Sequence, residues 1–258
     1  MGELIFVGLG LYDERDITLK GLDEIRSSDR VFAEFYTAHL SGSSIGRLEE
    51  LFGKKITALD RAGVEQMEEE LLAAAENGKV AFITAGDSMT ATTHVDLRMR
   101  AHERGIITKV VHGVSIATAA AGLLGLQSYK FGRATTLVFP EKNYFPISPY
   151  DVIRSNLAQG LHTLVLLDIR ADEGRYMTAS EGAKIIMRMA EETGDGGVDG
   201  KTVACGIARA GSGSPMIVAG PLSEIAKTDF GPPLHCLVIP GKMHFMEEGA
   251  LRVLCGMR

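Results

Sequence analysis

Short apolar runs alternate along the chain with longer stretches whose apolar residues recur every three or four positions. Residues 4–9 form a continuous apolar run ended by glycine, as expected of a strand buried on both faces. Residues 18–27 read as a helix, with Leu19, Leu22 and Ile25 on one side, followed by a strand over 28–35. A helix over 43–52, carrying Ile45, Leu48 and Leu51, leads to a brief strand at 56–59. The helix predicted over 64–77 has Glu68, Glu69 and Glu70 as a solvated face, and Gly78 stands in its C-cap position. Residues 79–84 form the next buried strand, 91–104 a helix closed by Gly105, 106–112 a strand, and 115–126 a helix rich in alanine.

The texture then changes. Strands are expected at 135–140 and 161–169 with a helix over 150–159 between them. An amphipathic helix over 180–193 presents Ile185, Ile186, Met189 and Ala190, and the glycine- and aspartate-rich 194–200 reads as a surface loop. Strands at 202–208 and 216–220, a short helix at 222–226, a strand at 234–240 and a terminal helix complete the chain. The βαβ alternation of the first half favours a parallel sheet, and the strand-rich second half a mixed one. These are two α/β domains, 1–112 and 113–258.

Composition narrows the class. At 258 residues with 45% hydrophobic and 23% charged positions, the chain can build sizeable cores without disulfides or metals. Cys205, Cys236 and Cys255 lie far apart with no C-x-x-C pair, so no disulfide framework and no metal site are expected. The apolar N-terminal run meets charge by Glu14, which fits neither a signal peptide nor a membrane span, and a cytoplasmic protein is expected. A net charge of −6, no dense basic run and no tryptophan argue against a nucleic-acid partner.

Candidate chemistry gathers where strands end in glycine. Gly8-Leu9-Gly10-Leu11 follows the first strand but is not G-x-G-x-x-G, which removes most support for a dinucleotide oxidoreductase. Thr84-Ala85-Gly86-Asp87-Ser88 carries a carboxylate that either caps the next helix or accepts a ligand's amine or hydroxyl. His112-Gly113-Val114-Ser115-Ile116 enters the alanine-rich helix, where small residues permit close packing or close ligand approach. Ala208-Arg209-Ala210-Gly211-Ser212 and Leu234-His235 mark two further strand ends, the histidine reading more readily as structural than catalytic. There is no Ser-His-Asp or Cys-His set, no P-loop lysine and no catalytic base that the pattern singles out. What remains suits an enzyme that holds a reactive cofactor by backbone contacts and works by positioning, of which methyl transfer is an example.

These residues resemble the tetrapyrrole methylase-like family, the class III methyltransferases, over nearly the whole length. The resemblance rests on Gly8 to Thr18 (GLGLYDERDIT), Ala33-Glu34-Phe35-Tyr36-Thr37, Ala91-Thr92-Thr93-His94 and Tyr129-Lys130-Phe131-Gly132. Further along, His162-Thr163-Leu164, Leu167-Asp168-Ile169, Tyr176-Met177-Thr178-Ala179, Ala208 to Ser212 and Pro240-Gly241-Lys242-Met243-His244 carry it. Members that act on tetrapyrroles have G-x-G-P-G-D-P after the first strand. Gly8-Leu9-Gly10-Leu11-Tyr12-Asp13-Glu14 stands here instead, the pattern of a subgroup that modifies a protein. The common T-P-G-D-P loop is Thr84-Ala85-Gly86-Asp87-Ser88, which lacks both prolines and their restriction of the backbone.

The resemblance implies a cofactor cleft between the two domains, a homodimer and S-adenosylmethionine as methyl donor. It implies donor contacts from Leu9, Gly10, Asp87, Thr90, Ser115 and Ile116, and from Leu166, Ala208, Arg209, Ala210, Leu234 and His235, many of them through the backbone. The implied reaction is successive N-methylation, three times in archaea, of the amino group of 2-(3-carboxy-3-aminopropyl)histidine on translation elongation factor 2. The chain's length fits the archaeal form. The rival readings are a small-molecule tetrapyrrole methylase and a non-catalytic module that keeps the fold.

Overall fold

The computed structural model describes residues 2–35, 39–59 and 64–258, with 64–67 and 172 described by their backbone only; Tyr36 and Thr37 of the Ala33-Glu34-Phe35-Tyr36-Thr37 motif lie outside the described residues. The chain divides into two compact units, Met1–Ile116 with Arg170–Gly174, and Ala117–Ile169 with Arg175–Arg258. The division falls inside the alanine-rich helix, just beyond the 112–113 boundary expected from the sequence.

The first unit contains β1 (Glu3–Gly8), α1 (Leu19–Ser27), β2 (Arg30–Glu34), α2 (Ile45–Phe52), β3 (Ile56–Leu59), α3 (Val64–Asn77), β4 (Lys79–Thr84), α4 (His94–Glu103) and β5 (Ile107–Val111). The sheet order is β3-β2-β4-β1-β5 and every pairing is parallel. Alternation along β1 sends Leu4 and Phe6 into one core and Ile5 and Val7 into the other, which is why its sequence is apolar without a break. The connection leaving β1 runs one way across the sheet and that leaving β4 runs the other. The carboxyl ends of these neighbouring strands therefore form a topological switch point, where open α/β sheets bind ligands.

Two local expectations are revised. The α3 glutamates are not simply solvated: Glu68 and Glu69 pair with Arg100 of α4, Glu69 also with Arg104, and Glu70 with Arg30 of β2. Gly78 follows α3 without a left-handed turn, and its missing side chain leaves room for Asp29, whose carboxylate accepts the Lys79 N–H at 2.8 Å.

The second unit contains most of α5 (Ile116–Leu124), then β6 (Thr135–Leu137), α6 (Ser148–Ala158), β7 (Thr163–Leu167), the short pair β8 (Ile169–Arg170) and β9 (Arg175–Tyr176), α7 (Ala179–Thr193), β10 (Val203–Ala208), β11 (Met216–Pro221), α8 (Leu222–Ile225), β12 (His235–Ile239) and α9 (Phe245–Cys255). Its sheet runs β11-β10-β12-β7-β6, antiparallel except for β6 with β7. Ile186, Met189 and Ala190 of α7 pack into the core with Tyr150 and Ile153 of α6, and Ile185 is half-buried. The 194–200 loop is at the surface but pinned: Val198 is buried, and Asp195 accepts from the Tyr150 hydroxyl at 2.7 Å and pairs with Arg154.

A buried carboxylate ties this unit's loops together. Glu247, in the first turn of α9, accepts at Oε1 from the Gln127 N–H and His162 Nε2, each at 2.9 Å. Its Oε2 accepts from Lys130 Nζ at 2.6 Å and the His244 N–H at 2.8 Å. His162 accepts the Gly241 N–H at Nδ1, which assigns the remaining proton to Nε2 and makes the ring neutral. Burial opposes charge on Glu247, yet the His244 amide, Lys130, the Gln127 amide and His162 hold its pKa at about 2. Burial lowers the His162 pKa despite the adjacent carboxylate.

Removing one partner of such a site strands buried donors, so Glu247→Ala should cost about 3–5 kcal/mol in urea unfolding. The carboxyl's ordinary pKa of 4.5 falls to about 2 in the folded protein. Its stabilisation is therefore complete above pH 4.5 and is lost as pH falls toward 2. Across that window the wild type should lose stability more steeply than Glu247→Gln; parallel slopes would contradict this account.

Candidate functional site

At the switch point, backbone packs directly on backbone. The Leu9 N–H donates to the Thr84 carbonyl at 2.9 Å. Gly10 and Gly86 then exchange both hydrogen bonds, at 3.1 and 2.6 Å, so the loops after β1 and β4 are zipped together. The loop after β5 closes on both. A Cβ placed on Gly8 would stand 2.5 Å from the Gly86 carbonyl oxygen and 2.6 Å from the Gly113 nitrogen. The strand ends can meet at this distance only because neither Gly8 nor Gly113 carries a side chain; Gly86 is required instead by its φ of +70°.

The rest of the first loop is a folded turn. Asp16 Oδ2 accepts the N–H groups of Leu11, Tyr12 and Asp13 at 3.2, 2.7 and 3.3 Å. Asp13 accepts from the Arg15 amide and guanidinium, and that guanidinium foremost holds its pKa below the ordinary value against the opposing effect of burial. Asp16, which sequence reasoning did not single out, is the residue that gives LYDERD its shape.

Asp87 resolves the choice left open between helix capping and ligand binding in an unexpected way. The helix begins at His94 with Thr93 before it, so Asp87 does not cap it. Its Oδ1 accepts the Met89 N–H at 2.9 Å and the Thr90 hydroxyl at 3.3 Å. Its Oδ2 accepts from His112 Nδ1 at 2.7 Å and the Gly113 N–H at 3.2 Å. Burial would raise its pKa, but the Met89 amide, His112 and Thr90 together hold it below the ordinary value. Asp87 is thus an ionised brace between the loops after β4 and β5. Leu9 is fully buried in the α1/α2 core, so a ligand could reach only its backbone. Thr90 is exposed, Ser115 is buried and Ile116 is the first residue of α5. All six expected residues of this unit lie on the loops that leave β1, β4 and β5.

The second unit gathers its own six at one edge of its sheet. Ala208 pairs with His235, and Cys236 beside it pairs with Leu166, which brings the ends of β7 and β10 to the start of β12. Arg209 has φ +53°, donates its N–H to the Leu234 carbonyl at 2.9 Å, and reaches the Phe230 and Pro232 carbonyls at 2.6 and 3.1 Å with Nη1. Ala210 follows it, half-buried like Leu234. His235 accepts the Ala179 N–H at Nδ1 (3.2 Å) and donates from Nε2 to the Pro232 carbonyl at 2.8 Å. Both nitrogens are used, and burial lowers its pKa. It is a neutral structural residue at the start of α7.

Among the described residues no group of three or more His, Cys, Asp and Glu is placed to hold a metal ion, and no helix is long and apolar enough to cross a membrane. Burial pushes the Cys236 thiol up to about 12 and the Cys255 thiol up to about 11, which removes both as nucleophiles.

A parallel-sheet unit with backbone-lined strand ends and a second unit with a mixed sheet and glycine-marked loops define a two-unit α/β protein. The family model for tetrapyrrole (corrin/porphyrin) methylases matches residues 3–226, and the chain belongs to that family; it is a methyltransferase. Within the family it resembles diphthine synthase. It is 50% identical to the diphthine synthase of Methanocaldococcus jannaschii over 254 residues, 98% of each chain. It is 48% identical to that of Methanocella arvoryzae over 256 residues, 99% of each chain. A crystal structure of diphthine synthase superposes with a TM-score of 0.90 at 36% identity, covering 99% of this chain and 97% of the other.

The glycine cluster separates contact from strain. Gly86 has φ +70° with open space where a Cβ would be, so Gly86→Ala should cost about 1–2 kcal/mol of backbone strain. Gly113→Ala, which would drive a methyl group to 2.6 Å from the Gly8 carbonyl carbon, should lower the thermal midpoint further. Equal losses would mean that close approach is not what fixes this cluster.

Proposed function

We propose that the chain transfers methyl groups from S-adenosylmethionine to the amino group of 2-(3-carboxy-3-aminopropyl)histidine on translation elongation factor 2, three times in succession, to give diphthine. The observation that carries this reading is identity near 50% with diphthine synthases along the full length of both chains. The first loop supports it: LYDERD folds as a self-contained turn about Asp16, and nothing in it requires the proline-bearing loop of members that act on tetrapyrroles.

The residues present suit the donor. Open space beside the Gly86 backbone admits a ligand, and the Asp87 carboxylate is kept ionised by its neighbours. Leu9, Gly10, Asp87, Thr90, Ser115 and Ile116 from the first unit, and Leu166, Ala208, Arg209, Ala210, Leu234 and His235 from the second, would hold it. Bound there, the donor supplies a methyl group already activated by a sulfonium. The protein's task is to align an unprotonated amine in line with that methyl and exclude water. Each of the first two transfers leaves a protonated amine that must lose a proton before the next attack. Neutral His235 and ionised Asp87 are both engaged in holding loops, so this role is assigned to neither.

The reading places the protein in the cytoplasm with its translation-factor substrate. We also propose a homodimer. Phe245, Met246, Val253 and Leu254 of α9 and nearby Tyr129 in sequence motif are exposed large apolar residues of the second unit, more than an isolated helix needs in water. Sedimentation should give a dimer, and Met246→Asp with Val253→Asp should give a folded monomer; a wild-type monomer would refute it.

The decisive measurement incubates the chain with S-adenosylmethionine and elongation factor 2 bearing the unmethylated adduct. Peptide masses should rise in steps of one methyl group, up to three, on the modified histidine peptide. Donor binding without any mass gain would move the assignment to a small-molecule tetrapyrrole methylase.

A further inference from the structure

Two of the sequence motifs, Ala33-Glu34 and Thr92-Thr93-His94, have no part in the twelve residues expected to meet the donor, yet the first unit brings them together at the loop that carries Asp87 and Thr90. His94 is the first residue of α4, and its ring is held on three sides. Nδ1 lies 2.9 Å from the Ser88 carbonyl oxygen, and Nε2 lies 3.3 Å from the Glu34 carboxylate at the end of β2. The Phe82 ring of β4 meets the imidazole edge-on, with centroids 4.9 Å apart. A carbonyl only accepts, so Nδ1 donates the hydrogen bond to Ser88. The imidazole and the carboxylate are both largely out of water, with side chains 12% and 7% exposed. A ring enclosed in this way keeps one orientation, and neighbouring strands of the sheet supply the groups that aim it.

What the bond holds is the segment between β4 and α4. Residues 87–90 form a turn: the Thr90 N–H donates to the Asp87 carbonyl at 3.2 Å, and Asp87 Oδ1 accepts from the Met89 N–H and the Thr90 hydroxyl. The next residue, Ala91, has φ +56°, in the left-handed region that a residue with a Cβ rarely adopts. Such a conformation persists only where the surrounding structure fixes it. The His94–Ser88 bond closes the segment across Ala91, and the His94 N–H donates to the Thr92 hydroxyl at 3.2 Å. The Ser88 side chain does not share this task. It is fully buried, and its hydroxyl has no hydrogen-bond partner among the described residues. The tie from Ser88 to the start of α4 therefore runs through its carbonyl, one residue from Asp87.

We propose that His94 is a positioning residue: its Nδ1–H, clamped on the Ser88 carbonyl, holds the Asp87–Thr90 turn in the shape that meets the methyl donor. This rests on the donor site proposed above. The imidazole acts on the donor only through main chain, and Asp87 and Thr90 make the contacts. A turn that must find its shape on binding loses affinity to that ordering, and a turn already fixed does not.

The test measures S-adenosylmethionine affinity by calorimetry, together with the thermal midpoint, for the full chain as wild type, His94→Ala, His94→Asn and His94→Gln. An asparagine amide sets its N–H group where Nδ1 stands, and a glutamine amide where Nε2 stands. Affinity should fall about tenfold in His94→Ala, the effect of one well-placed hydrogen bond. It should return to within about threefold of the wild type in His94→Asn and stay low in His94→Gln. A merely structural histidine would lower the thermal midpoint and leave the affinity of the folded protein unchanged. That result overturns the proposal, and so do equal affinities in His94→Asn and His94→Gln, a comparison that decides the matter even if His94→Ala does not fold. If the wild type binds no S-adenosylmethionine, the donor reading itself fails and the role of His94 falls with it. Binding by the wild type with unchanged affinity in the variants removes the role of His94 alone.

Discussion

The first unit is organised around a place where main chain touches main chain. Gly8 and Gly113 lie so close to each other and to the Gly86 peptide that a methyl group added to either would collide with neighbouring main chain. Protein interiors are packed to the density of organic crystals, and such a contact has no slack in which to absorb a side chain. The parallel sheet delivers the three strand ends to the same edge, the reversal of connection direction opens space beside them, and Asp87 fixes the loops by accepting donors from two of them. The surface at these strand ends is made largely of peptide groups, whose positions follow from the sheet and depend little on the identity of most side chains.

Carboxylates do the work of organising loops elsewhere. Asp16 collects three consecutive amides, Glu247 collects four donors from three segments, and Asp195 holds the loop after α7. For Glu247, which is buried, a charge removed from water is acceptable because its lone pairs are filled by oriented N–H groups. Several residues that carry the family resemblance, Lys130, His162, Gly241 and His244 among them, are parts of the Glu247 site. Their contacts there hold the loops of this unit together.

The strand and helix order was legible in the sequence because periodicity reports burial directly. β3 and α3 coincide with their expected limits, and β4 begins and ends where the apolar run does. The character of each sheet followed from the spacing of helices between strands. The twelve residues expected to meet the donor lie at or near strand ends, six in each unit. What the sequence did not show is what those residues do. Asp87 as a brace, His235 as a satisfied structural histidine and Leu9 as a core residue depend on which groups lie opposite them.

The Glu34–His94 pair shows where that division lies. The sequence by itself determined the two cores, the parallel and mixed sheets and the loops that leave them, because solvent exclusion acts on each residue according to its own polarity and its neighbours in the chain. Only the tertiary structure decided that His94 Nε2 lies 3.3 Å from the buried Glu34 carboxylate, and that the Thr84 hydroxyl is buried in register with Glu34 with no hydrogen-bond partner among the described residues. Hydrogen bonds and ion pairs act over a few ångströms between groups that are far apart in sequence, and their geometry exists only once the sheet has set its register.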